Sequence, residues 1–205
     1  IRLAALATAG SFSDECARAT GLAALAAASP RQRQKKILET VLNLVAAGAN
    51  ETFLEPLKMA AGALAELCDP DLWNLALDAI DASSDVMFQA EALRKLAARM
   101  TGPKNAQVRA KAVHVAVTIR EQTMRADALA ALARVLTEPE DDQARLEILN
   151  AAESITESSS RRQVLTALAP VLQEDTREEG LLLALEAARE IGDEGPRTAT
   201  LLKLV

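Results

Sequence analysis

The sequence predicts an all-α fold, an α-solenoid (superhelix) of about six antiparallel helical pairs with a 36-residue period. Three observations carry this. The 205 residues include 43 Ala and 31 Leu, both strong helix formers, and half of the chain is apolar, too much for a disordered segment. Aromatics are limited to three Phe and one Trp, whereas strands favour aromatic and β-branched side chains. The third observation is an internal repeat, and self-similarity of this length is the signature of stacked helical arrays.

Four segments align without gaps. They are ALDAIDASSDVMFQAEALRKLAARM from Ala76, AVHVAVTIREQTMRADALAALARVL from Ala112, ILNAAESITESSSRRQVLTALAPVL from Ile148 and ALEAAREIGDEGPRTATLLKLV from Ala184. The segment from Thr40 fits one period earlier, more weakly, and the segment from Ala5 fits with one residue fewer in its connection. One helical-repeat domain over 1–205 is expected, with units near 5–39, 40–75, 76–111, 112–147, 148–183 and 184–205. The expected domain is a piece of a longer chain, because Leu204 and Val205 continue an apolar helical pattern without a cap.

Each unit reads as two helices. In the first (A) helix the apolar positions end at Ile119, Ile155 and Ile191, with Phe12 in that place in the opening unit. A polar turn follows, such as Arg120-Glu121-Gln122 or Gly192-Asp193-Glu194-Gly195. The second (B) helix carries an R-A-x-A-L-x-x-L-A pattern, complete from Arg125 to Ala133. Its Leu positions recur at Leu93, Leu129, Leu165 and Leu201, and at Leu96, Leu132, Leu168 and Leu204. Steps of three and four residues place such side chains on one helix face. Ala126, Ala128, Leu129, Leu132, Ala133 and Leu136 cover most of the B-helix circumference, as in a helix buried between neighbours. Pro30, Pro70, Pro103 and Pro139 are expected in the links between units, where helices stop.

The alternation of a short A-helix with R-A-x-A-L-x-x-L-A resembles bacterial α-solenoid repeats of the tetratricopeptide and HEAT-like group. It is most similar to arrays that serve as ligand-sensing regions of large bacterial signalling ATPases. The resemblance implies stacked helical pairs with a concave surface for a macromolecule. No GxxxxGK[ST] phosphate loop lies in the chain itself.

Composition excludes most chemistry. One His (His114) and two distant cysteines, Cys16 and Cys68, leave no metal-ligand set and no Cys–His nucleophile, and no HExxH or GxSxG motif is present. The expected protein is non-enzymatic, without cofactors or a small-molecule substrate. The thiols read as reduced, which places the chain in the cytoplasm. No apolar run of 18 residues lacks charge, so no membrane span or signal peptide is expected. Net charge is −6, divided as +1 over residues 1–111 and −7 over 112–205. That balance and the missing stacking aromatics argue against nucleic acid, and the basic segment Arg31, Arg33, Lys35, Lys36 reads as a solvated helix face.

An acid precedes the B-helix arginine by four residues at Asp14/Arg18, Glu121/Arg125, Glu157/Arg161 and Asp193/Arg197, with Asp85/Gln89 in the third unit. Recurrence at one structural position implies a device that tightens the turn or joins units. Val86, Met87 and Phe88 replace the polar turn in that third unit, either as local filling or as an apolar contact patch.

A protein or peptide partner is the function expected of such an array. The binding positions expected are the polar ones of the Ala-rich B-helices: Glu91, Arg94, Lys95, Asp127, Arg134, Gln163 and Thr166. The opposing assignment uses the A-helix positions Asp78, His114, Asn150 and Glu186. Alternative roles are a freestanding adaptor, or a nucleic-acid-binding array acting through the basic segment 31–36.

Overall fold

A computed structural model describes residues 13–102 and 105–172, together with positions 182, 189 and 198. Phe12, and the sixth unit's Glu186, Ile191, Asp193, Arg197, Leu201 and Leu204, lie outside the described residues, as does Pro103. The protein is all-helical, with no strand among the described residues.

The chain divides into two compact units, Ile1–Arg99 and Met100–Val205. The first holds α1 (Glu15–Ala27), α2 (Arg31–Gly48), α3 (Leu54–Leu67), α4 (Pro70–Asp81) and α5 (Val86–Ala97). Within it α1 packs on α2 and α3, α2 on α3 and α4, and α5 on α3 and α4. The second holds α6 (Ala106–Thr118), α7 (Gln122–Ala133), α8 (Asp142–Glu153) and α9 (Ser158–Leu168). There α6 packs on α7 and α8, and α9 packs on α7 and α8. The 36-residue spacing is visible in helix starts: Pro70, Ala106 and Asp142 for A-helices, Val86, Gln122 and Ser158 for B-helices.

The repeated apolar positions form the core. Leu93, Leu129, Leu165, Leu96, Leu132, Leu168, Ile119 and Ile155 are all buried. Of the third-unit apolar run, Phe88 is buried while Met87 is exposed. Gly48, the last residue of α2, is a position where only a glycine fits. There the ring of Phe53, in the connection that follows α2, occupies the space a Cβ would need.

Two local expectations change. The prolines do not simply end helices: Pro70 opens α4, where its missing N–H costs nothing, and Pro30 immediately precedes α2. Nothing between Arg31 and Gly48 interrupts α2, so its 18 residues run through the unit boundary expected near residue 40.

The recurring acid and arginine have separate tasks at the A–B turn. The acid caps the B-helix. Asp14 accepts from Cys16 N, Asp85 from Phe88 N, Glu121 from Thr123 N and Met124 N, and Glu157 from Ser159 N and Ser160 N. The B-helix residue four positions on reaches back to the end of the A-helix. Arg125 Nη1 donates to Ile119 O at 3.0 Å, Arg161 Nε to Ile155 O at 2.7 Å, and Gln89 Nε2 to Ser83 O at 2.9 Å. Orphan amides and orphan carbonyls on the two sides of one turn are thus satisfied together.

A second repeated device was invisible in the sequence pattern. Arg109 on α6 and Arg145 on α8, 36 residues apart, are fully buried. Arg109 Nη1 donates to Met100 O and Gly102 O at 2.9 and 2.6 Å; Arg145 Nη1 donates to Leu136 O and Glu138 O at 2.6 and 3.0 Å. Each guanidinium ties its A-helix to the link that precedes it. Arg109 Nε also donates to Asp141 Oδ1 at 2.9 Å, and Nη2 lies 2.7 Å from the same oxygen as an ion pair without hydrogen-bond geometry, with both side chains 0% exposed. Arg145 pairs with Asp142. In the first unit the same register holds Trp73, buried with Nε1 unpartnered among the described residues.

Three outcomes follow for denaturation experiments. Leu129→Ala is expected to cost about 2–5 kcal/mol through the cavity it leaves. Arg109→Ala, which strands the buried Asp141 carboxylate, is expected to cost about 3–5 kcal/mol, part of it recovered by adding Asp141→Asn. Urea midpoints read both, and a cost below about 0.5 kcal/mol for either single variant contradicts the burial described. The third concerns Glu157, whose hydrogen bonds from Ser159 and Ser160 lower its pKa from 4.5 to about 2. Its stabilisation is present above pH 4.5 and fades as pH falls towards 2. Glu157→Gln lacks this titration, so its melting temperature should approach that of the wild type across that window. A gap independent of pH would refute the cap's charge dependence.

Candidate protein-binding surface

The exposed sides of the B-helices carry the expected binding positions, and they fall into registers. Glu91 on α5, Asp127 on α7 and Gln163 on α9 occupy one repeat position, and Glu55 on α3 is its counterpart one period earlier. Arg94 and Thr166 share the position three residues on, which is exposed at Lys58 and Arg94, buried at Ala130 and half-buried at Thr166.

In the first unit this register is built of ion pairs along one helix. Arg94 donates bidentately to Glu91, with Nη2 to Oε2 at 2.6 Å, and Lys95 Nζ lies 4.0 Å from the same carboxylate. The hydrogen bond from Arg94 holds the Glu91 carboxyl below the usual carboxylate range, with the charges of Arg94 and Lys95 adding to it. Lys58 and Glu55 repeat the arrangement at 3.3 Å. These side chains are a third to two thirds exposed, so the pairs add little stability and are open to exchange with a partner's charges.

In the second unit Asp127 and Gln163 turn to each other. Gln163 Nε2 donates to Asp127 Oδ1 at 2.6 Å between α7 and α9. Both are half-buried, and the bond joins neighbouring repeats. Arg134 stands exposed just beyond α7, and Thr166 is half-buried on α9. The seven expected residues therefore divide into a charged trio on α5, an inter-repeat pair, and two separate positions.

On the A-helices Asp78, His114 and Asn150 are exposed. His114 Nδ1 lies 3.5 Å from Glu147 Oε1, which links α6 to α8. At the start of α2, Lys35 Nζ lies 2.7 Å from Asp69 Oδ2 and joins α2 to α4. That hydrogen bond raises the Lys35 pKa and lowers that of Asp69. Both thiols are free. Among the described residues no group of three or more His, Cys, Asp or Glu is placed to hold a metal ion, and no helix is long and apolar enough to cross a membrane.

Two features escaped the sequence reading. The Glu55–Lys58 pair sits where the second unit departs from the turn pattern at Ala49 and Phe53, although its 36-residue offset from Glu91 and Arg94 marks it. The second is a hollow beside α2, lined by Leu22, Gln32, Arg33, Lys36, Ile37 and Thr40. The basic segment gave its charge but not its concavity. Comparison with family models, curated proteins and solved structures gave no match.

Proposed function

We propose that this chain is a non-enzymatic helical-repeat scaffold or sensing segment, built as an α-solenoid, that binds a protein or peptide through its B-helices. The carrying observation is the register of Glu55/Lys58 and Glu91/Arg94, in which like charges stand at like positions one repeat apart. A partner with a matching charge spacing gains several modest contacts from such a row. The absence of exposed aromatic anchors among the described residues fits modest contacts, because strong interface anchors are usually Trp, Tyr or Arg. The 36-residue steps in helix starts and the two-layer packing within each unit support the class of stacked helical pairs. The resemblance to sensor arrays of bacterial signalling ATPases supplies the cellular setting of this reading, and the free thiols fit a cytoplasmic one.

The test reverses Arg94, Lys95 and Arg134 to Glu together. Loss of the Arg94–Glu91 pair costs only about 0.3–0.5 kcal/mol, so the protein should stay folded. Affinity capture from the native cell should then lose its specific partners. A parallel Asp78→Lys/His114→Glu variant should keep them. An unchanged partner set in the triple variant, or loss in the A-helix variant alone, removes the B-helix face as the binding surface.

A further inference from the structure

We infer that the hollow at the start of α2 is a second binding site, and that it takes an acidic peptide segment bearing an aliphatic side chain. The inference rests on the peptide-binding reading for the class of partner, but uses different residues. The hollow measures about 330 Å³, with Leu22 of α1 and Ile37 of α2 at its base and Gln32, Arg33, Lys36 and Thr40 around it. Leu22 and Ile37 are nearly covered already, at 7% exposed each, so the base is a shallow apolar floor that suits one side chain.

The rim supplies charge of one sign. Arg33 and Lys36 are exposed and form no ion pair among the described residues, nor does the neighbouring Arg31, whereas Lys35, on another side of the helix, is taken by Asp69. Arg33 and Lys36, three residues apart, share the face that borders the hollow. The nearby Glu39 makes no ion pair with them.

Within this cationic group, Arg31 and Arg33 stand in the first turn of α2. Cations near a helix N-terminus oppose the macrodipole. The first turn of α2 has no acid and its preceding Pro30 gives no side-chain cap, while carboxylates cap α1, α4, α5, α7 and α9. In a chain of net charge −6, a local arrangement that works against its own helix is best explained by the ligand that relieves it. Carboxylates flanking a Leu or Ile would meet Arg33 and Lys36 while the aliphatic group rests on Leu22 and Ile37. Single-stranded nucleic acid would want a stacking ring, and no aromatic residue lines the hollow. A bilayer would want exposed apolar anchors, and the large exposed apolar residues described, Met87 and Leu182, are not among its lining residues.

The experiment titrates the full chain into a fluorescein-labelled, end-capped peptide of Glu, Asp and Leu, with a Lys-for-acid version as control. Saturable anisotropy is expected with the acidic peptide alone, weakening as salt rises. Arg33→Glu/Lys36→Glu should weaken it by about tenfold or more. That variant should melt close to wild type, since both positions are exposed and an acid at position 33 suits the first turn. Arg33→Gln/Lys36→Gln should also weaken binding and serves if the reversal perturbs folding. No saturable binding to wild type, or equal binding by both variants, overturns the proposal. So does saturable binding of single-stranded RNA or phosphatidylserine vesicles in place of the peptide. The same titration on R94E/K95E/R134E separates this site from the B-helix face: peptide binding lost there and kept by R33E/K36E overturns the hollow alone.

Discussion

The turn between paired helices is the constraint on which the rest of this structure depends. A chain made of helices about a dozen residues long has an end every few nanometres of contour, and each end leaves orphan backbone groups. Here one short segment serves both ends. Glu121 accepts from the first amides of α7, and Arg125, one turn later on the same helix, donates back to Ile119 at the close of α6. The same geometry returns with Glu157, Arg161 and Ile155. Because cap, donor and acceptor have fixed offsets, the turn cannot lengthen or shorten without leaving a buried group unpartnered. That fixed turn sets where each B-helix begins relative to the end of its A-helix.

The links between pairs are held in a different way. A link leaving a B-helix has no sheet to join and few side chains to bury, so its carbonyls need donors from elsewhere. Arg109 and Arg145 provide them from inside the next A-helix, each bonding two link carbonyls two residues apart. Burying a guanidinium is costly unless every face of it is occupied. At Arg109 the cost is offset by Asp141, which also accepts from Glu138 N and so fixes the following link. One carboxylate therefore couples two successive links. In the first unit, Trp73 fills the same register by bulk and bonds no carbonyl among the described residues.

How much of this was legible depended on whether a residue's role followed from its periodicity. Leu93, Leu129 and Leu165 announce their burial by recurrence, and the helix starts obey the same step. The turn acids were visible as a pattern, but their task was not. A carboxylate four residues before an arginine suggests a pair, and only coordinates reveal that each points at a different helix end. Arg109 and Arg145 were hidden because a charged residue in an amphipathic stretch reads as surface, and two copies are too few to stand out. Asp127 and Gln163 looked like free polar positions for the related reason that sequence gives the face of a residue but not the reach of its neighbour. The basic run on α2 was legible as charge, whereas the floor of its hollow requires Leu22 from another helix.

Several polar contacts in this chain link residues 32 to 36 positions apart, from the Cys16 thiol on Thr52 O to Gln122 on Thr156 and Arg109 on Asp141. Side chains recruited in this way hold neighbouring repeats together and have little left to offer a partner. In the proposed function, recognition falls to residues outside this set. Glu91 with Arg94 and Glu55 with Lys58 satisfy each other within one helix and remain exposed. The side chains of Arg33 and Lys36 form no ion pair among the described residues. For the partner binding proposed above, Ala-rich helices offer few large side chains for affinity, and selectivity would then come from the spacing of charges that the repeat sets.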